Sequence, residues 1–596
     1  MSRRASLNVL AVCALALVAL MSAVASTPGS ALVQVDPTAE SQTIDAIVAE
    51  RFRQTAEAAQ NPMTATAAFE QTVDAAFNAA LTATAEANAP AEPAATPGDT
   101  EAFLNTNFNI QAQYARVLCV GAGCPAEVEA TAPCLTASCD HAPQTYPIEA
   151  TFDTIQAAWE AAAPGDLVIV MPGQYRGLQA EEKSGADGAY IHIKAWGAPG
   201  SVVVNAVAFP EKDWLRDHFY FIDTSYYIIE GIAFDGAERA GLFFSGYFAE
   251  TGRFNTHIVV MDVYSHDNGV WGMHSTATSY MVVQDSVFTN SGEEHGLYLS
   301  GGGDNMLVRR NVFQDNVASG FQMNADPQTA EGELYYWLEN SSGDTCGLDD
   351  YSPWAELKAC YDQQGLPDLG PFIEDGVGVN VIVEQNVFAG NGREGGAAIN
   401  LASVRDSVVR NNLIYGSYAG GIACWDNGYA EERGIYPSPY GCQRVTIVNN
   451  TMVDPDAGRT AVPLNGNASE MIVANNIIVR ERDDAYEILD TSSQGLVSDH
   501  NYVYAAYIEN PDLASLLDDL SGFTVEEALG NFAAPGIEPW VLPDGAWYTL
   551  NPARPDYHLA PGSPLAGAGS PAYVPALDLD GSQRTGADIG ALGVQQ

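Results

Sequence analysis

The sequence predicts an all-β solenoid, and three observations predict it. First, a strand-like segment recurs at a nearly constant step: VVMDVY (259–264), VVQDSVF (282–288), LVRRNVF (307–313), IVEQNVF (382–388) and VVRNNLI (408–414). Their last apolar residues, Tyr264, Phe288, Phe313, Phe388 and Ile414, are spaced by 24, 25, 75 and 26 residues, so one long step spans three short ones. A fixed period of this size marks stacked repeats, none of which can bury its apolar face without a neighbour. Second, Asn or Asp recurs near the strand ends, at Asp262, Asp285, Asn311, Asn386, Asn412, Asn450 and Asn476. Asn tolerates left-handed backbone and bonds its own turn, so one per coil is expected to build a ladder inside the turn. Third, a Gly-led strand follows each turn: GMHST (272–276), GLYLS (296–300), GFQMN (320–324), GAAIN (396–400) and GIACW (421–425). Alternation points Met273, Leu297, Phe321 and Ala397 inward, and His274, Tyr298, Gln322 and Ala398 outward as one continuous strip.

Composition agrees with this class. A chain of 596 residues is too long for one compact core, but a solenoid escapes that limit by growing along one axis. Hydrophobic residues make up 47% and aromatics 10%, enough for a long core, and 55 glycines suit a turn-rich β fold. The formal charge is −50, with 25 Lys plus Arg against 75 Asp plus Glu. That balance argues against a nucleic-acid partner and against an anionic lipid surface. It favours solubility and makes calcium the one cofactor the sequence suggests.

In chain order, residues 1–25 read as a signal peptide: Arg3 and Arg4, an apolar run from Leu7 to Met21, and the small-residue site Ala23-Val24-Ala25. A retained anchor is the alternative, though the run is short for a full span. Cys13 follows Val12, a poor context for lipid attachment. Residues 26–100 form an Ala/Thr-rich stalk with two helical-period segments, split at Asn61-Pro62 and ending in a Pro/Ala linker. Residues 101–150 form a cysteine-bearing connector. Eight cysteines remain in the mature chain, an even number for an oxidising destination. Their clustering predicts Cys119–Cys124, Cys134–Cys139, Cys346–Cys360 and Cys424–Cys442, with cross-pairing inside 119–139 left open. A metal site there is disfavoured by C-x4-C spacing with only His141 nearby.

The solenoid proper is expected over 151–500. TFDTIQAAWEAAAPGDLVIVMPGQYRG begins with a helix, Ile155 to Ala162, followed by a Pro-Gly-Asp stop, a strand and a Pro-Gly turn. This stretch, with SGADGAYIHIKAWGAPGSVVV after it, resembles the opening of secreted right-handed parallel β-helix proteins of the pectate-lyase-like type. The resemblance implies a right-handed parallel β-helix and makes the short helix an N-terminal cap, which the open end of a solenoid requires. The C-terminal segment 501–596 carries DYHLAPGSPLAGAGS (556–570) and LDLDGSQRTGADIGALG (577–593), similar to the closing segment of many such proteins. Asp578, Asp580 and Asp588 there read as turn formers or, alternatively, calcium ligands.

An insertion at 327–375 breaks the period and looks like a lid or wall beside the strip, and a shorter one runs from Asn427 to Gly441. Their aromatics, Tyr335, Tyr336, Trp337, Trp354, Tyr429, Tyr436 and Tyr440, suit sugar faces or the loops' own small cores. Four of nine histidines fall between 257 and 295, and the candidate surface includes His266, Asp267, Glu293 and Glu294. The candidate catalytic groups are His274, His295, Tyr298, Gln322, Asn324 and Asp326. Arg309, Arg310, Trp354, Arg393, Trp425 and Asp426 are candidates for holding substrate, and Asp304 with Asp326 for holding calcium. The resemblance implies a carbohydrate-directed surface, since relatives include polysaccharide lyases, epimerases and glycosidases.

Three functions follow. A lyase would use His295 or His274 as base and Tyr298 as acid, with calcium neutralising the uronate. A glycosidase would need two carboxylates, drawn from Asp304, Asp326 and Asp426. A cell-surface or secreted solenoid would bind glycan without chemistry. The expected partner is an extracellular polysaccharide. The chain is expected to be a secreted or cell-surface monomer with no nucleic acid and no membrane span after signal removal.

Overall fold

The computed structural model describes residues 99–246, 254–366, 376–426, 440–454, 458–480, 486–488, 494–504, 517–521, 528–535 and 555–594. The expected signal peptide lies outside these residues, as do the stalk up to residue 98 and most of the 427–441 insertion. Among the described residues, no helix is long and apolar enough to cross a membrane.

The chain winds as a parallel β-helix solenoid. Each coil contributes three strands, and each strand pairs in parallel with its counterpart one coil on. One coil, for example, runs Met306–Arg309, Val312–Gln314, Phe321–Asn324. The third strands form a ten-stranded sheet from Leu178–Glu181 to Tyr486–Ile488. The insertion leaves the register intact: Met306 to Arg309 pairs with Val381 to Glu384 across it.

Register corrects two sequence expectations by small slips with large consequences, since one residue reverses a side chain's face. Phe288 pairs with Phe313, Phe313 with Phe388 and Phe388 with Ile414. Tyr264, however, pairs with Val287, and Ser265 takes the place opposite Phe288. In the third sheet, Phe321 pairs with Ile399 and Gln322 with Asn400. Ile399 and Asn400 therefore hold the positions expected of Ala397 and Ala398, and Ala398 lies in the core. The inward site needs a large side chain to fill it, which Ile supplies and Ala does not.

The ladder exists and is displaced by one residue at its start. Asn311, Asn386, Asn412, Asn450 and Asn476 each donate from Nδ2 to Oδ1 of the next, ending on Asn501, at 3.1, 3.0, 3.0, 3.0 and 2.9 Å. Each Nδ2 also donates to a strand carbonyl, as Asn386 does to Val308. Asp262 and Asp285 are not members. They occupy the preceding left-handed position (φ 52 and 54), shared with Arg310, Gln385 and Asn411, and Ser286 stands in the ladder instead, donating its N–H to Asn311 Oδ1. A second ladder lies at the following turn, where Asn316 donates to Asn391 Oδ1 at 2.9 Å. The glycines that lead the third strands have a spatial cause: a Cβ on Gly320 would come 2.6 Å from Phe388 Cδ1 and 2.9 Å from Phe313 Cβ.

The chain covers two of its own three outer faces. From the cysteine-bearing segment, Val117–Val120 joins the sheet beside Leu167–Val170. Phe103 and Leu104 on helix Thr100–Asn107 are buried in a cluster with Tyr190, Ile228, Val259, Val282, Leu307 and Ile382 along the first strands. On the second-strand face, Tyr557, Leu559, Leu565, Leu579 and Ile589 cluster with Val287, Val312, Val387 and Leu413. Gln385, Asn411 and Asn449 donate to backbone carbonyls of this C-terminal segment. Asp578 and Asp588 accept backbone N–H groups within it. Helix Ile155–Ala161 is present, with Ile155, Ala158 and Trp159 in the main core.

Three disulfides are formed: Cys119–Cys124, Cys134–Cys139 and Cys346–Cys360. Cys424 and Cys442 are both free and buried, which corrects the fourth expected pair. They sit in the main core as small apolar groups, and Cys442 Sγ donates to Leu401 O at 3.5 Å.

Two outcomes are expected. Asn412→Ala strips partners from the Asn386 N–H and amide and from Asn450, lowering stability in chemical denaturation by about 3 kcal/mol at about 1–3 kcal/mol per orphaned group. Asp262→Asn, outside the ladder, changes it by less than about 1 kcal/mol. Thiol alkylation with mass spectrometry is expected to label Cys424 and Cys442, and only after denaturation.

Candidate functional site

With the other two faces covered by the chain's own ends, the third sheet is the remaining face. Its outward column runs Tyr220, Phe243, His274, Tyr298, Gln322, Asn400 and Ala423, one residue per coil. At about 4.8 Å per coil it spans roughly 29 Å. The first half is a ring stack: Tyr220 on Phe243 at 5.2 Å, Phe243 on His274 at 4.7 Å and His274 on Tyr298 at 4.8 Å, all within 13° of parallel. The second half is an amide chain. Asn400 Nδ2 donates to Gln322 Oε1 at 2.6 Å, and Trp425 Nε1 donates to Asn400 Oδ1 at 2.8 Å.

The column is not open along its length. Leu215 is buried with Tyr220 and Phe243, and Phe209 and Trp271 pack on them, which hides the first two rings. Tyr298 and Trp425 are partly exposed. At the far end a cleft of about 560 Å³ is lined by Asn400, Ala423, Trp425, Arg459, Thr460 and Asn465, among others. Arg459 is exposed, and no ion pair joins it among the described residues.

Two histidines and a tyrosine from the expected set meet at the middle of the column. His295 Nδ1 accepts the Ser319 N–H at 3.1 Å. A peptide N–H only donates, so the neutral ring carries its proton on Nε2, 3.7 Å from Glu294 Oε2. Burial lowers His295 to about 4. His274 is lowered to about 3, by burial first and then by Arg239 and His295. Its Nε2 contacts Ser300 Oγ at 3.0 Å, while its Nδ1 is buried without a partner. Both rings are therefore neutral at pH 7. Tyr298 is pushed up, chiefly by burial, and Asn324 Nδ2 reaches its oxygen at 3.5 Å. His295 stands edge-on to Tyr298 at 5.1 Å. Trp271 donates to Glu294 Oε2 at 2.8 Å.

Other expected site residues serve the fold. Asp326 is the N-cap of helix Pro327–Ser342, accepting from Gln328 N, Thr329 N and Thr329 Oγ1. Asp304 Oδ1 accepts the Val379 N–H at 2.8 Å. Both carboxylates accept backbone donors, and neither joins a group of three ligating His, Cys, Asp or Glu side chains among the described residues. Arg309 is buried on the first-strand face, bonded to Gln284 and to Leu135 O of the N-terminal segment. Arg310 binds Asp285 through two 2.6 Å contacts. Arg393 pairs with Asp315 at 3.1 Å and lies over Tyr418. Trp354 packs on the insertion's own core of Leu334, Leu338, Leu357 and Tyr361. Asp426 lies against Gly466.

Asn400, Trp271 and the cleft residues Arg459, Thr460 and Asn465 escaped the sequence reading. Asn400 was legible in principle, because GAAIN offers only Ile399 as a large inward residue. Arg459 follows no repeat signal.

No protein family matches the sequence, and no curated protein matches it. The chain is similar to solved β-helix structures. Pectate lyase Pel9A is 15% identical, with a TM-score of 0.43 over 84% of this chain and 100% of that one. Alginate lyase from Paenibacillus sp. str. FPU-7 is 15% identical, with a TM-score of 0.27 over 59% of this chain and 96% of that one. PfbA, a surface adhesin of Streptococcus pneumoniae, is 10% identical, with a TM-score of 0.29 over 61% and 76%. The fold rests on the strand pairing above, and likenesses at this level add no argument about chemistry.

The buried rings give the protein a pH dependence. A histidine whose folded value lies below its ordinary 6.5 favours the neutral folded state. That stabilisation is complete above about 6.5 and is lost as pH falls towards 3. The melting temperature is expected to fall across that window. The fall should be shallower in His274→Phe, which keeps a ring between Phe243 and Tyr298 but cannot be protonated.

Proposed function

We propose that this chain is an extracellular, carbohydrate-directed β-helix protein that takes a uronate-containing polysaccharide along its third sheet and cleaves it by β-elimination. The observation that carries this reading is the column itself: one linear row on the third sheet, buried for much of its length, which opens at the partly exposed Tyr298 and again, past the buried amides Gln322 and Asn400, at the Trp425 and Arg459 cleft. Linear polymers fit linear tracks. Rings pack on sugar C–H faces, amides bond hydroxyls, and an exposed guanidinium pairs with a uronate carboxylate. The arginine matters because the chain as a whole, at −50, repels polyanions.

Elimination needs a group that takes the proton α to the uronate carboxylate and a donor for the leaving oxygen. His295, a neutral ring, presents Nε2–H as a hydrogen-bond donor to a substrate oxygen and keeps that proton, so the proton taken from carbon by Tyr298 is the one returned to the leaving oxygen. Tyr298, as phenolate, is the acceptor, which differs from the roles the sequence alone suggested. Hydrolysis by paired aspartates is less well supported, since Asp326 caps a helix and Asp304 accepts the Val379 N–H. A second reading, glycan binding without cleavage, is favoured by the high value of the Tyr298 phenol and the bonded state of His295 Nδ1.

Incubation with polygalacturonate or alginate is expected to release an unsaturated product absorbing in the ultraviolet. The rate should rise towards alkaline pH as Tyr298 ionises, with no limb near pH 6–7, because His295 titrates at about 4. Tyr298→Phe should abolish the product while keeping binding, and Trp425→Ala should weaken binding about tenfold, at about 1.4 kcal/mol. Reducing ends without ultraviolet absorption would instead mean hydrolysis, and retention on the polymers without product would mean binding alone.

A further inference from the structure

A set of ligating side chains outside the third sheet takes no part in the fold's ladders or in the glycan track. Asp235 ends one second strand and His266 ends the next, and the two pair in register across adjacent coils. Asp267 follows in left-handed backbone at φ 53. His266 Nδ1 lies 2.8 Å from Asp267 Oδ2 and 3.6 Å from Asp235 Oδ1, and the three ligating atoms lie within 4.8 Å of one another. The His266 ring is held by stacking on Tyr264 at 4.1 Å. Asn290 Nδ2 holds Asp267 through its other oxygen at 3.3 Å. Beside this group His218, 2% exposed, keeps a buried Nδ1 with no partner. Its ring is close enough to His266 that a positive charge there pushes it lower, after burial.

Two comparisons within the chain sharpen the case. His558 also has two aspartates, but they sit on opposite ring nitrogens, Asp556 at Nδ1 and Asp580 at Nε2, which makes ion pairs rather than a chelate. Cys134, Cys139 and His141 cluster as well, but a disulfide consumes both thiols. At His266 both carboxylates converge on the same nitrogen. A divalent ion at that point would be within reach of all three groups.

We propose that Asp235, His266 and Asp267 form a site for a divalent transition-metal ion of the zinc type, which clips two successive coils together. One imidazole with two carboxylates is a donor set for zinc, whereas calcium takes an all-oxygen shell. The Asn290 amide orients Asp267 from outside the ligand set, and the −50 charge of the chain draws cations to its surface.

Titration calorimetry of the chelator-treated full chain tests this, with zinc chloride in one arm and calcium chloride in the other. One equivalent of zinc is expected to bind and to raise the melting temperature. Asp235→Asn and His266→Ala should each weaken zinc binding at least tenfold and remove the thermal shift, and calcium should not displace the ion at equal concentration. Asp235→Asn is nearly isosteric at a half-exposed side chain, so it reports on the site even if His266→Ala misfolds. No zinc binding by the native chain would overturn the proposal. So would Asp235→Asn binding zinc as tightly as the native chain, or calcium displacing zinc at equal concentration.

Discussion

The interaction on which the rest depends is the bond each coil makes with the next. Backbone pairing supplies most of it, but pairing alone leaves the turns as buried polar chain. The asparagine ladder satisfies those turns, because each amide donates to the amide beyond and to a strand carbonyl. An amide suits this position because it donates and accepts at once, which an ionised carboxylate cannot. Aspartate accordingly appears one residue earlier, at the solvent side of the turn. The same periodicity makes outward columns straight, so a surface built one residue per coil becomes a linear track. The insertion at 327–375 is tolerated because Met306–Arg309 and Val381–Glu384 still meet in register.

A bare solenoid would expose three sheet faces. Here the N-terminal segment lies on the first strands and the C-terminal segment on the second, each with its own apolar cluster. This placement decides what the charged residues do. Arg309 sits where an exposed substrate contact was expected, yet the segment carrying Leu135 covers it and takes its hydrogen bond. The third sheet keeps its outward column, and burial within that column holds His274 and His295 neutral. Neutral imidazoles neither attract an anion nor titrate near pH 7, which leaves Arg459 as the exposed cation at the far end of the column.

Much of this was legible. Period, strand segments, three disulfides and the outward strip from His274 to Gln322 all follow from residue type and spacing. The errors of register share one cause. Tyr264 and Ala397 were each placed by local pattern, and each was wrong by one or two residues, because a repeat fixes the spacing of strands but not the exact pairing when a turn changes length. Asp326 looked like a free carboxylate beside the strip, but a helix begins at Pro327 and its N–H groups claim that side chain. Cys424 and Cys442 share the main core as unbonded, buried side chains.

The amino-acid sequence by itself determined the solenoid, because a periodic apolar pattern with asparagine at each turn has few other ways to bury its core and satisfy its backbone. Which outward residues form a site was decided only by tertiary structure. That choice depends on which faces the chain's two ends cover, on the pairing that puts Asn400 beside Gln322, and on which carboxylates a cap has already engaged. These are contacts between residues tens to hundreds of positions apart, and local pattern carries no record of them.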